Sequence, residues 1–320
     1  MLDSYGRRVE YLRISLTEKC NLKCIYCMPK ESYLEERHCT KKISNEEIIK
    51  FLKASVNLGI KKVRYTGGEP LIVKDIDKLI YDTGKIPEIN DISITTNGIL
   101  LYDMVEELKN SGLKRVNISL DTLKEDRFKK ITRNGDINKV FQGIDKCLSL
   151  GMTPLKINVV LLKGINDDEI GDFINLTKKL SIDVRFIELM PIGEGIKFYK
   201  NSLMTSEEVL QRFPMLVKIK NKGISTAELY KLRNAKGRVG FISPLSCKFC
   251  KECNKIRLTS EGIIKPCLHS QEELSIKEYI DNEVLLISKI KEAILSKPEE
   301  HNMELRKRSE TERMMFQIGG

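Results

Sequence analysis

A chain of 320 residues with 41% hydrophobic content is long enough to bury a sizeable core, as one large domain or as one domain with an appendage. No apolar run is long enough to span a bilayer, and the opening residues MLDSYGRRVE lack the apolar stretch of a secretory signal, so a soluble cytoplasmic protein is expected. The formal charge of +10 favours an anionic partner without choosing among nucleic acid, membrane surface and phosphorylated small molecule, and three histidines (His38, His269, His301) in no HExxH-like spacing give a His-based hydrolase no support.

From Tyr11 to about Met190, short β-branched runs alternate with helical stretches. Strands are expected at Tyr11–Thr17, Lys62–Gly67, Asp91–Asn97, Arg115–Asp121, Leu155–Leu162 and Asp183–Met190. Amphipathic segments such as SNEEIIKFLKASVNLG, YDMVEELKNSG, NKVFQGIDKCLSLG and DDEIGDFINLTKKL lie between them, several ending in the glycine that a helix C-terminus prefers. Ser44 and Glu47 form a candidate capping box for the first long helix. Six such units predict a parallel sheet with right-handed crossovers, two short of a closed barrel. An incompletely closed barrel and a doubly wound open sheet both satisfy the pattern. After Pro191 the regularity ends. IGEGIKFYKNSL reads as loop, SEEVLQRF as a short helix, and residues 214–268 as short strands carrying a second group of cysteines. SIKEYIDN and EVLLISKIKEAILSK read as helices, the second closed by Pro298, and a charged tail runs out to MMFQIGG. A domain boundary is expected near Gly195–Thr205, dividing residues 1–200 from 201–320.

Nine cysteines in a reducing compartment suit metal ligation better than disulfides. Cys20, Cys24 and Cys27 form one group; Cys247, Cys250, Cys253 and Cys267 form another. Cys147 sits among apolar neighbours at helical spacing and reads as a small core residue. Cys39, after His38 in a polar loop, reads as an incidental thiol. An iron–sulfur cubane is usually completed by four cysteinates, so a loop offering three leaves one iron open for catalysis. This loop follows the first strand, which puts it on the functional face of a β/α architecture. The alternative is a zinc site that borrows cysteines from elsewhere. The spacing CxxxCxxC, with Tyr26 as the aromatic before its last cysteine, resembles that of the radical S-adenosylmethionine (SAM) enzymes. YTGGEP, with Gly67 and Gly68, resembles their glycine-rich element that holds the SAM amino group; in isolation the two glycines would make a turn. Ser119 and Met190, at the ends of the fourth and sixth strands, match positions that contact SAM in the nearest subfamily.

The second group has enough thiols for a closed four-cysteine zinc site as well as for a cluster. FCKECNKIRLTSEGIIKPCL is similar to the second-cluster segment of the GTP 3′,8-cyclase family. That resemblance implies that Cys250, Cys253 and Cys267 bind a second [4Fe–4S] cluster with one open iron, and it leaves Cys247 outside the ligand pattern.

Several strands carry a cation in an otherwise apolar or β-branched run: Arg13, Arg64, Lys156 and Arg185, with Lys62 on the same face as Arg64. Pointed inward, they would need a common counter-ion such as a triphosphate. Pointed outward, or paired with local acids, they would need none. The family resemblance assigns Arg13, Arg64, Thr95 and Lys156 to GTP and makes Lys62 and Arg185 supporting cations. Lys255 and Arg257, in NKIR, match positions where the family more often has two arginines. Lysine keeps the charge but loses the planar fork. Gly319 and Gly320 match the family's C-terminal diglycine, thought to reach into the active site.

The resemblance runs from GRRVEYLRISLTEKCN to the diglycine. It implies an incomplete (βα)₆ barrel capped by a C-terminal α+β region with the second cluster, and two [4Fe–4S] clusters plus SAM as cofactors. The implied reaction is reductive cleavage of SAM to a 5′-deoxyadenosyl radical, removal of the ribose C3′ hydrogen of GTP, and closure onto guanine C8. The implied partners are a reduced flavodoxin or ferredoxin-type electron donor, a downstream cyclic pyranopterin monophosphate synthase and a second copy of the chain, with no nucleic acid or membrane. Two rival readings are a radical SAM enzyme with an auxiliary cluster acting on a peptide, and a non-catalytic zinc and nucleic-acid binding protein.

Overall fold

The computed structural model describes residues 1–30, 42–220, 226–303 and 308–319. His38, Cys39 and Gly320 lie outside the described residues. Six strands, β1 (Tyr11–Ser15), β2 (Lys62–Thr66), β3 (Asp91–Thr96), β4 (Arg115–Ser119), β5 (Leu155–Leu161) and β6 (Ile182–Glu188), pair in parallel and in chain order. The helices α1 (Asn45–Val56), α2 (Ile76–Gly84), α3 (Leu101–Asn110), α4 (Glu125–Thr132), α5 (Ile137–Ser149) and α6 (Ile170–Lys179) connect them. Ser44 and Glu47 cap α1 reciprocally, side chain to backbone in both directions.

Strand residues alternate in an unusual sense. Leu12, Ile14, Val63, Tyr65, Ile92, Ile94, Val116, Ile118, Ile157, Val184 and Phe186 are buried in the core that the helices cover. The opposite face carries the polar set: Tyr11, Arg13, Lys62, Arg64, Asp91, Arg115, Asn158 and Arg185 line a single cavity. A barrel interior is normally packed with branched apolar residues. Here it is an ionic chamber.

The C-terminal half adds strands at both sides of these six. After α7 (Ile196–Ser202) and α8 (Ser206–Arg212) come β7 (Val217–Ile219), β8 (Glu228–Lys231), β9 (Val239–Ile242), β10 (Lys255–Leu258), β11 (Ile263–Lys265) and β12 (Leu274–Ser275), then α9 (Glu283–Leu295). β9 runs parallel to β6 and β10 runs parallel to β1. The sheet order is therefore β12-β11-β10-β1-β2-β3-β4-β5-β6-β9-β8-β7, with β9 and β10 unpaired to each other. The chain crossing between them, residues 243–254, carries Cys247, Cys250 and Cys253.

Two local expectations are corrected. IGEGIKFYKNSL is not loop throughout: Gly193–Gly195 form a 3₁₀ turn that leads into α7. SIKEYIDN is not a helix; Ser275 ends β12, and the residues up to Asn282, which caps α9, are turns. Ile276 N–H donates to Gly262 O at 2.9 Å and the Ile276 side chain is fully buried, so this stretch is held by tertiary contact and not by its own periodicity. Cys147 is fully buried, as its spacing predicts.

Candidate active site

The two cysteine loops sit at opposite ends of the chamber, and the strand directions dictate this. Cys20, Cys24 and Cys27 follow β1, so they lie beyond the C-terminal ends of the parallel strands. Cys253 precedes β10, which is parallel to β1, and Cys267 follows β11, which is antiparallel to β10, so both lie at the N-terminal ends. Cys250, Cys253 and Cys267 line the cavity, whereas Cys247 is exposed and does not.

The first loop is held by the YTGGEP turn. Gly68 N–H donates to Thr17 O at 2.6 Å and Glu69 N–H to Lys19 O at 2.9 Å. A Cβ on Gly68 would stand 2.1 Å from Lys19 O, and one on Gly67, where φ is +143°, 2.4 Å from Thr17 O. These glycines let two backbones touch where the cysteine loop begins. The buried Glu69 carboxylate accepts from Thr96 Oγ1 and Asn97 N–H, each at 2.7 Å, and Asn97 Nδ2 stands 3.7 Å from Cys20 Sγ. Burial pushes the Glu69 carboxyl up to about 7 against those hydrogen bonds. Tyr26 donates to Asp121, whose other oxygen accepts from Val160 N–H at 2.8 Å. Burial raises Cys20 to about 11 and, with Cys20 as a neighbour, Cys27 to about 12. Thiols so buried become thiolates when a cation takes the proton's place.

Among the described residues, no three His, Cys, Asp or Glu side chains converge on a point as a single ion requires. A cubane asks for something different, because each cysteinate meets a different iron at a different corner. Three thiols on one short loop, and three lining the far end of the chamber, fit that demand.

Between the loops the inner face is organised in rows. Lys255, Tyr11, Lys62 and Asp91 lie in register, and so do Arg257, Arg13, Arg64, Ser93 and Arg115. Thr95, Asn117, Lys156 and Asp183 form a third row, and Ser119, Asn158 and Arg185 a fourth. The cavity they surround is about 280 Å³. Arg115 pairs with Asp91, and Arg238 with Asp183. Among the described residues, no carboxylate forms an ion pair with Arg13, Lys62, Arg64, Lys156, Arg185, Lys255 or Arg257. Burial, together with the other chamber cations, pushes Arg64 and Arg257 down to about 9 and Lys156 and Lys255 to about 7. Buried polar atoms without partners cluster on this same face: Tyr11 Oη, Arg13 Nε, Ser15 Oγ, Thr95 Oγ1, Asn117 Oδ1, Asn158 Oδ1 and Arg185 Nε. Orphaned donors and acceptors at this density mark a chamber shaped for a polar, anionic guest.

The structure brings together most of the residues singled out from the sequence. Arg13, Lys62, Arg64, Arg185, Lys255, Arg257 and Met190 line the cavity. Thr95 and Lys156 stand in the row between those of Arg64 and Arg185, and Lys156 is close enough to Arg185, Arg115 and Arg64 to feel their charges. Of the residues expected to hold SAM, Tyr26, Gly68 and Ser119 are outside the cavity, around the first cysteine loop and the upper strand ends. The last helical turn, Met315–Ile318, descends from that loop: Phe316 N–H points to Cys27 Sγ, and Arg257 Nη1 donates to Gly319 O. A Cβ on Gly319 would meet Thr66 Cγ2 at 2.3 Å, where φ is +71°. Sequence reasoning missed Tyr11, Asp91, Arg115 and Asn158, although each is in phase with a cation or polar residue already noted on its own or the next strand. It also missed Lys297, which no local pattern announces.

Residues 14–177 match the radical SAM superfamily, and residues 182–303 match Molybdenum Cofactor Synthesis C. Streptococcus suis SuiB bound to S-adenosylmethionine superposes with a TM-score of 0.64 at 18% identity, covering 89% of this chain and 68% of that one. AnSMEcpe with bound AdoMet superposes at 0.52 with 15% identity, covering 97% and 90%. The likeness to these two is one of fold; the match over residues 14–177 makes the chain a radical SAM protein. Curated relatives narrow this. A GTP 3′,8-cyclase of Clostridium botulinum is 59% identical over 320 residues, and that of Clostridium acetobutylicum 54% over 321, with 100% of each chain covered in both cases. The chain belongs to the GTP 3′,8-cyclase family. Among the described residues, no helix is long and apolar enough to cross a membrane.

Proposed function

We propose that this protein converts GTP to (8S)-3′,8-cyclo-7,8-dihydroguanosine 5′-triphosphate, the first step of molybdenum cofactor biosynthesis. The observation that carries this reading is the chamber of unpaired cations between two cysteine triads. Cys20, Cys24 and Cys27 hold one [4Fe–4S] cluster, with SAM against Tyr26, Gly68, Ser119 and Met190. Cys250, Cys253 and Cys267 hold the other. The first cluster, when bound, supplies the electron that cleaves SAM to methionine and the 5′-deoxyadenosyl radical. Everything else falls to the chain. Arg13, Lys62, Arg64, Lys156, Arg185, Lys255 and Arg257 neutralise the triphosphate, and Thr95 orients it from the third row. Gly319, anchored by Arg257, reaches the chamber where a side chain would not pass, and Gly320 completes the diglycine of the sequence. The chamber positions the ribose and limits the water that reaches a radical. A flavodoxin or ferredoxin-type reductant, a synthase that consumes the product, a homodimeric state, a cytoplasmic setting and functional units dividing near residue 200 complete the proposal.

The test is 5′-deoxyadenosine release from SAM by the anaerobically reconstituted, reduced protein, with each nucleoside triphosphate in turn. Release stimulated by GTP, and not by ATP, CTP or UTP, is expected. Release indifferent to nucleotide would leave a radical SAM enzyme of another substrate class, such as a peptide. No release from protein carrying reducible clusters would overturn the reading.

GTP binding also carries a pH signature. Lys156 stands at about 7 because of burial and then Arg185, Arg115 and Arg64, with Asp183 the one neighbour raising it. A triphosphate favours the ammonium, so binding above pH 7 takes up a proton and weakens as pH rises, by up to about tenfold per unit between pH 7 and 9. Calorimetry in buffers of different ionisation enthalpy reads this uptake directly, and Lys156→Met should diminish it.

A further inference from the structure

The turn after α9 is locked to the second cysteine group from two sides. Lys297, 3% exposed, sends its ammonium to three acceptors: Lys255 O at 3.0 Å, Pro266 O at 3.1 Å and Cys253 Sγ at 3.5 Å. Its three N–H groups are thereby used, one on the chain leaving Cys253, one on the residue before Cys267 and one on a cysteine sulfur. Four residues on, His301 N–H points to Cys250 Sγ. The turn itself is fixed by Arg7, whose guanidinium donates to Pro298 O and Glu299 O at 2.7 Å each and to Cys250 O at 3.0 Å, while Asp3 holds its Nε at 2.6 Å. A buried ammonium whose every hydrogen is spent on two cysteine-bearing segments is more than a surface lysine with a packed stem.

We propose that Lys297 is a positioning residue of the second cluster. It ties the Cys253 and Cys267 segments together and donates a charge-assisted N–H···S bond to the Cys253 cysteinate, stabilising the cluster's reduced state. The inference rests on the second-cluster reading above, which iron content and the two-component EPR spectrum of the unaltered protein test on their own. A cubane with three cysteinates is anionic and becomes more so on reduction. A buried cation and a hydrogen bond to sulfur therefore raise its reduction potential. Lysine suits the position because its donors diverge toward three acceptors; arginine keeps the charge and can reach some of them.

The experiment is a potentiometric titration of the reduced holoenzyme followed by EPR, with SAM added to perturb the first cluster and GTP the second. In Lys297→Met the second-cluster signal should shift to lower potential while the first is unmoved, and Lys297→Arg should recover part of the shift. An intact second cluster with unchanged potential and line shape in Lys297→Met would overturn the proposal. Should Lys297→Met assemble only the first cluster, the outcome turns on Lys297→Arg: a retained second cluster supports a charge-assisted role, and its loss there as well overturns it.

Discussion

Gly68→Ala is expected to yield a folded protein with about half its iron and a 5′-deoxyadenosine release reduced by about 100-fold or more. The new methyl would sit 2.1 Å from Lys19 O and 2.7 Å from Glu18 O, both backbone atoms, so no rotamer relieves it. The strand-turn contact must open, and the loop that begins at Cys20 moves with it. The second group, at the far end of the chamber, is untouched. Iron per chain, EPR and SAM cleavage measured on one preparation check this. A full iron complement with wild-type cleavage would show that Gly68 has slack the backbone distances deny.

Arg64→Met should move stability and binding in opposite directions. Arg64 is 5% exposed and its partners among the described residues are weak ones, Ser93 Oγ at 3.3 Å and the Tyr11 ring at 5.5 Å. Without a guest it is a buried cation among cations. Replacing it with an apolar side chain of similar length should stabilise the nucleotide-free protein by about 1–2 kcal/mol. The same change removes a desolvated phosphate partner and should weaken GTP binding by about 2–5 kcal/mol. Thermal melts with and without GTP separate the two effects. A variant that melts lower without GTP would mean that the chamber cations are satisfied in some other way.

The fold was largely readable because each of the first six strands combines β-branched residues with a turn signal and a helix. Gly67, Gly98 and Gly112 all adopt positive φ in these connections. The charged chamber was readable in outline because Lys62 and Arg64 share a parity, and because Arg13, Lys156 and Arg185 interrupt otherwise apolar or β-branched runs. Which face they occupied was not. Periodicity separates the faces of a strand but does not say which one the helices cover. Arg115 and Asp91 escaped notice as first residues of their strands, where charge is ordinary. β9 and β10 were also beyond reach as parallel neighbours of β6 and β1, since they pair with strands more than fifty residues away in sequence (Val184↔Val239, Tyr11↔Lys255). Lys297 lies 44 residues from Cys253 along the chain, and only the packed structure brings them together.

The placement of β9 and β10 bears on what the edges of the sheet offer to other molecules. Six parallel strands that stop short of closure would present two long, regular edges, each able to recruit a strand from another molecule. The C-terminal half covers both, adding β10 outside β1 and β9 outside β6, then reversing direction on each side. What remains outermost is β12, of 2 residues, and β7, of 3 residues with Lys218 at its centre. Strands this short make poor templates, and Lys218 adds a charge to one of them. The segment that carries the second cysteine group thus also guards the barrel against adding strands from its neighbours, and a chain ending near residue 200 would lose that guard on both sides at once.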